Sequence, residues 1–184
     1  MVDIMGHVAM GLLWALPAWF IWKKRVALAF VGVVVPTALL PDVDLWLHRL
    51  FPAMVHHHGV THTVVFVAGL SVVFGGIVAA LFTDPIDRWL QSERFTSGKL
   101  FGFALVAFLL GGLSHLFADM LSAPDIATPI EPFWPFFDKP WAVDVIWYNS
   151  PVWNAGLLAV AVLLHVVVAT VTDPTDHSYR LTDV

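Results

Sequence analysis

Five long apolar runs, parted by polar connectors, organise the chain: Ile4 to Trp22, Val26 to Leu40, Thr63 to Thr83, Leu100 to Leu121 and Val152 to Thr172. A bilayer crossing takes roughly 20 predominantly apolar residues. The pattern therefore predicts an all-α integral membrane bundle of about five transmembrane helices, with residues 1–184 forming a single domain. Val26 to Leu40 is short for a span, contains Pro36 and stops at Pro41. Its far end is expected below the headgroups or beside a dip lined by protein and water. Two connectors stand out, the polar stretch Asp84 to Lys99 and the Pro/Trp-rich loop Ser122 to Pro151. A loop as long as the second is uncommon in a compact domain unless it has a function.

Composition strengthens this class and removes others. With 59% hydrophobic residues, 12% charged residues and a mean hydropathy of +0.80, the chain is too apolar for a soluble domain of its size. Nine Trp and fourteen Phe suit the membrane interface. A net charge of −5 argues against a nucleic-acid-binding surface, which needs basic patches. The absence of cysteine excludes thiolate metal sites, disulfides and cysteine nucleophiles. No cleavable signal peptide is expected, because basic residues follow the first apolar stretch instead of preceding it.

Basic residues in short loops set the expected orientation. Lys23, Lys24, Arg25, Arg88, Arg94, Lys99 and Arg180 fall on one side, expected to be cytoplasmic, while only Arg49 and Lys139 fall on the other. The N-terminus, residues 41–62 and the Pro/Trp loop are then extracytoplasmic, and the C-terminus is cytoplasmic. This arrangement gathers His7, Asp42, Asp44, His57, His62, His115 and Asp119 on one membrane face.

Those residues carry the candidate chemistry. His115 and Asp119 stand at i and i+4 within the fourth apolar run and point the same way. Ionisable groups there are costly and by default signal function. An isolated pair of this kind is equally well an interhelical hydrogen bond. With Asp42, Asp44 and His62 on the same side, metal binding is the stronger reading. Imidazole and carboxylate suit zinc, manganese or iron, and an open position on such a metal activates water. Asp42-Val43-Asp44 either ends a helix after Pro41 or bridges two cations. In His56-His57-His58-Gly59-Val60-Thr61-His62 three neighbouring imidazoles cannot all face one way. His56 is read as solvated, and His62, flanked by Thr61 and Thr63, is ranked with His115. His48 reads as interfacial, His165 as a hydrogen-bonded packing residue, and His177 as part of a polar tail.

The ordered set Gly6-His7-x3-Gly11, Leu40-Pro41-Asp42-x-Asp44, His57-x-Gly59-x-Thr61-His62-Thr63, His115-x3-Asp119 and Pro132-Phe133 resembles the YdjM-like family of inner-membrane, metal-dependent hydrolases. The resemblance covers about the first 135 residues. It implies a multi-span membrane hydrolase whose His and Asp residues bind metal. The order is also distantly similar to zinc-dependent phospholipase C and related single-strand nucleases. That likeness implies His7, an Asp of the Pro41 to Asp44 stretch, His62, His115 and Asp119 as ligands, and makes the free N-terminal amine a further candidate. Two departures stand out. His58 occupies the position where the family usually has Arg, so that phosphate contact falls to His58 itself or to Arg49. No histidine lies between Asp119 and His165, leaving Asp125, Glu131 or Asp144 to replace the extra ligands of the phospholipase-like enzymes.

The resulting expectation is a hydrolase at the outer membrane face cleaving a phosphoester or lipid. One or two divalent ions, zinc foremost, would be held by His7, Asp42, Asp44, His57, His62, His115 and Asp119. Asp42 and Asp44 would act on water, Arg49 and His58 would contact substrate, and membrane lipids would be the partners. The Pro/Trp loop would form a lid or headgroup wall, with Trp134, Trp141 and Trp147 at the interface. A non-catalytic metal-binding sensor, carrier or scaffold is the alternative, although the inner half offers a carrier only His165.

Overall fold

The computed structural model describes residues 2–90 and 95–172, so Glu93, Arg94, His177, Arg180 and the N-terminal amine lie outside the described residues. The described residues form seven α-helices in order: α1 (Ile4–Ala15), α2 (Ala18–Ile21), α3 (Lys24–Thr37), α4 (Val43–Leu50), α5 (Val64–Leu90), α6 (Ser97–Leu121) and α7 (Leu157–Val171). A 3-10 turn (Val60–His62) precedes α5, and a π-helical turn (Val152–Gly156) runs into α7. Among the described residues there is no strand, only two isolated bridges within 122–146.

Among the described residues four stretches are long and apolar enough to cross a membrane: Ile4–Ile21, Val64–Leu90, Ser97–Leu121 and Val152–Val171. The fifth expected span, Val26 to Leu40, is realised as the 14-residue α3. At 1.5 Å per residue it reaches about 21 Å, short of the roughly 30 Å hydrocarbon core. The chain then turns at 38–42, so the segment bearing Asp42 begins below the level where a full span would end. A further difference lies in the connector Asp84 to Lys99, because α5 continues through Pro85 as far as Leu90. A membrane helix tolerates the missing proline N–H when neighbouring groups satisfy the backbone. Helix α4 lies within what reads from sequence as loop.

Helix α6 is the hub. Half of its span is buried inside the protein, against 22% for α5 and 17% for the π-turn and α7. It packs on α5, α3 and α1, while α7 packs on α1. Small residues permit these close approaches, as expected where helices associate without a hydrophobic drive from water. A side chain at Gly111 would collide with Thr37 of α3, and one at Gly112 with Val67 of α5. Gly11 of α1 is likewise pressed against Ala38.

Pro17 breaks the first span into α1 and α2. Near the break the Leu16 N–H bonds Leu13 O in place of Leu12 O, and the Leu12 carbonyl instead accepts from His165 Nε2 at 2.8 Å. Trp19 Nε1 donates to His165 Nδ1 at 2.7 Å. His165 is thus a hydrogen-bonded packing residue, tying α7 to the broken helix.

The Pro/Trp loop between α6 and the π-turn lies against the bundle. Its Ile130 is fully buried and packs with Val67 and Leu116. Pro132 O accepts from Val64 N at 2.8 Å at the start of α5.

Candidate metal centre

Local rules bring each ligand to one end of the bundle. His7 sits one turn into α1, after the N-cap Asp3. Asp42 immediately precedes α4, and Asp44 lies in its first turn. His62 closes the 3-10 turn, after which Thr63 Oγ1 caps α5 by accepting from Phe66 N at 3.2 Å. His115 and Asp119 lie on successive turns in the last part of α6. His58 has φ 63°, a left-handed conformation uncommon outside glycine. That backbone kink separates the three neighbouring imidazoles: His56 faces out, His57 is half-buried and His58 is buried.

The inward atoms converge. His115 Nε2 lies 3.1 Å from His62 Nε2. Asp119 Oδ2 is 3.1 Å from His115 Nε2 and 3.6 Å from His62 Nε2. Asp42 Oδ1 is 3.6 and 3.5 Å from the same two nitrogens. Two triangles therefore share the His62–His115 edge, with sides of 3.1 to 3.6 Å. Ligand atoms around a tetrahedral zinc with bonds of 2.0 to 2.1 Å are separated by about 3.3 to 3.4 Å. His58 Nε2 lies 3.8 Å from Asp119 Oδ2, and His7 Nε2 lies 3.6 Å from Asp119 Oδ1. The His7 ring stacks on His115 with centroids 3.8 Å apart.

The outer nitrogens fix the tautomers. His115 Nδ1 donates to Ala38 O at 2.7 Å. That carbonyl is accessible because its i+3 position is Pro41, which has no N–H. His58 Nδ1 donates to Thr128 O of the Pro/Trp loop. His62 Nδ1 faces Asp44 Oδ2 at 3.2 Å. In its neutral form each of these rings therefore carries its proton on Nδ1 and turns Nε2 toward the carboxylates, the arrangement in which an outer oxygen orients a metal-binding imidazole.

Lone pairs facing carboxylate oxygens are unfavourable without a cation or proton between them. Among the buried side-chain atoms without a hydrogen-bond partner are His7 Nε2, His58 Nε2, Asp42 Oδ1 and Asp119 Oδ2. Buried polar groups are almost always paired, so four orphans aimed at one place point to a missing positive charge. His62 shows the same demand. Burial alone would lower its pKa, but Asp42 and Asp44 outweigh burial and raise it to about 9, so a proton is held where a cation would serve. His58 follows burial instead and falls to about 4, keeping its nitrogen bare. The residues present thus fit a divalent metal.

A family model for the YdjM inner membrane protein matches residues 1–178. The chain belongs to that family. The match extends past the motif-bearing first 135 residues to take in the Pro/Trp loop and α7. No curated protein and no solved structure matches the chain.

The structure sorts the residues expected from the family motifs. His7, Asp42, His62, His115 and Asp119 meet in the cluster, and His57 joins its edge at 3.0 Å from Asp44. His58, expected to contact substrate, is instead buried with its Nε2 among the ligand atoms. Asp44 is fully buried and faces the outer side of the histidines. Its Oδ1 receives His57 Nδ1, and its Oδ2 receives Thr61 Oγ1 at 3.0 Å and His58 N at 3.1 Å, and lies 3.2 Å from His62 Nδ1, which itself donates to Thr61 Oγ1 at 3.1 Å. Arg49 stands more than a turn beyond Asp44 at the exposed end of α4, its guanidinium 5.1 Å from the Trp46 ring centre. Asp125 accepts from Tyr148 N at 2.8 Å, and Asp144 is exposed with φ 55°. The role of Thr128 and Ala38 as carbonyl anchors carries no side-chain signal, so motif reading missed both.

Proposed function

We propose that this family member is a membrane-embedded, metal-dependent hydrolase of phosphoester substrates, acting at the extracytoplasmic face. The observation that supports this reading is the convergence of four buried, unpartnered ligand atoms from α1, the 41–62 segment and α6 on one locus. Within it, His62, His115, Asp42 and Asp119 would hold the ion, and His7 and His58 would be available to it or to a second ion. Bound there, a zinc-like ion supplies Lewis acidity that makes water a nucleophile near neutral pH.

The other steps belong to the chain. Asp42 keeps 14% side-chain exposure while the remaining inner ligands are sealed, so water and substrate enter beside it. Asp42 takes the proton of the attacking water as a P–O ester bond breaks. The proton then passes to the departing alkoxide, so that one water is consumed and an alcohol and a phosphomonoester leave. Asp44, with both oxygens committed to outer donors, orients His57, His58 and His62 and takes no part in proton transfer.

One observation favours a second reading, a metal-holding protein without turnover. Apart from Asp42 and His57, the ligand side chains are 0 to 2% exposed, and closed shells are typical of structural metal sites. Purified protein in detergent decides between the two. Bound metal is measured, then cleavage of soluble phosphodiesters, phosphomonoesters and phospholipids is compared for wild type and His115→Ala. Turnover lost in the variant supports the hydrolase. Stoichiometric metal without turnover on any class leaves the holding protein, and no metal after reconstitution overturns both.

A further inference from the structure

A shallow apolar groove opens between the turn after α3, the first turns of α5 and the later part of α6. Leu40, Pro41, Phe66, Leu70, Phe108 and Gly112 line it. Pro41 is bonded to Asp42, and Gly112 lies three residues before His115 on α6, so one end of the groove adjoins the metal cluster. The one hydroxyl in the lining, Ser71 Oγ, donates its proton to Val67 O at 2.7 Å and has none left to donate to a guest. Phe66 to Ser71 and Phe108 to Gly112 belong to membrane-spanning helices, so the medium around the groove is hydrocarbon.

The geometry points to this groove as the seat of one acyl chain of a membrane phospholipid, whose phosphodiester headgroup then lies at the metal cluster. The shortness of α3 supplies the reason the groove exists. By ending after about 21 Å, α3 leaves the upper flanks of α5 and α6 uncovered beneath Asp42. A lipid enters laterally, its chain replacing bilayer neighbours, and its scissile bond reaches the ligands without leaving the membrane. The headgroup half of this inference rests on the hydrolase reading, whereas occupancy of the groove does not.

Photolabelling tests occupancy. Full-length protein is placed in nanodiscs of phosphatidylglycerol and phosphatidylethanolamine containing a phospholipid with a diazirine on one acyl chain, irradiated and mapped by peptide mass spectrometry. Labelling at Phe66, Leu70 and Phe108 is expected to exceed that at Val72, Val73 and Ile77, exposed positions further along α5, by at least fivefold. Leu70→Trp, which fills the groove, should bring it down to the level of those positions, whereas Val73→Trp should not. Equal labelling at both sets in the wild type overturns the groove site. A second arm compares cleavage of a long-chain phospholipid with that of its dibutyryl analogue. Leu70→Trp should lower the long-chain rate relative to the dibutyryl rate at least tenfold, and an unchanged ratio overturns the headgroup placement. If neither lipid is cleaved by the wild type, the hydrolase reading and the headgroup placement fall together, and the labelling alone decides the groove.

Discussion

Replacing Asp44 by Asn removes one charge while keeping the size of a fully buried side chain. Asp44 Oδ2 receives two hydrogen bonds, from His58 N and Thr61 Oγ1, and makes a charge contact with His62 Nδ1, and an amide oxygen placed there can keep all three in weakened form. The amide nitrogen then takes the place of Oδ1 and faces His57 Nδ1, 3.0 Å away, so that imidazole must change tautomer or turn. Hydrogen bonds to an ionised acceptor contribute about 1.5–3 kcal/mol, against about 0.5–1.5 for neutral pairs. Each retained bond therefore weakens by about 1 kcal/mol. The contact with His62 Nδ1, made directly at 3.2 Å and through Thr61 Oγ1, acts on the metal because it sets both the orientation and the basicity of Nε2. The bonds to His58 N and Thr61 hold the turn that presents His62. Weakening of one to three of these contacts predicts a metal Kd raised roughly 10- to 100-fold, the range usual for loss of a partner behind a metal-binding histidine. Competitive titration with a chromophoric chelator, in detergent at pH 7.5, measures it. Because all inner ligands remain, stoichiometry should stay at the wild-type value. A Kd within threefold of wild type would refute the orienting role. Lost stoichiometry would refute it differently, by placing Asp44 among the ligands.

Gly111→Ala introduces a methyl into the space of Thr37. It is expected to destabilise the protein by about 1–3 kcal/mol and to weaken metal binding, because pushing α3 from α6 moves Ala38 and Asp42 away from His115. Thermal melting with and without metal checks this, and an unchanged melting temperature and Kd would count against the close helix crossing. Protons should compete with metal. In the metal-free protein His62 titrates near 9, above the ordinary value of about 6.5, so its charged form stabilises that state below about 6.5 and this support fades as pH rises through about 9. Metal needs the neutral ring, so affinity should climb by up to about tenfold per pH unit between those limits. Titrations from pH 6 to 9.5 that show no slope would contradict the proton-held site.

The pattern of apolar runs by itself determined the membrane class and four of the long helices, because twenty consecutive apolar residues have few other stable solutions. The i, i+4 spacing of His115 and Asp119 likewise determined that they share a face, since helix periodicity is local. The extent of α3 could not be read in the same way. Leu39 and Leu40 are apolar, but the chain leaves the helix after Thr37 and turns into Pro41, and apolarity does not mark that boundary. Helix α4 was hidden for the converse reason, because its exposed Trp46 and Leu50 interrupt any simple inward-facing pattern. Tertiary structure alone decided the roles of the acidic pair. Asp42 and Asp44 are two residues apart, yet one turns toward the Nε2 atoms and the other toward the outer donors. It also decided that His58 faces inward, through a left-handed backbone and the Thr128 carbonyl seventy residues away. Sequence fixes which groups are available within a turn or two. Which lone pairs meet depends on where α1, α3 and α6 cross, and that is set by packing of Gly11, Thr37 and Gly111 across the whole chain.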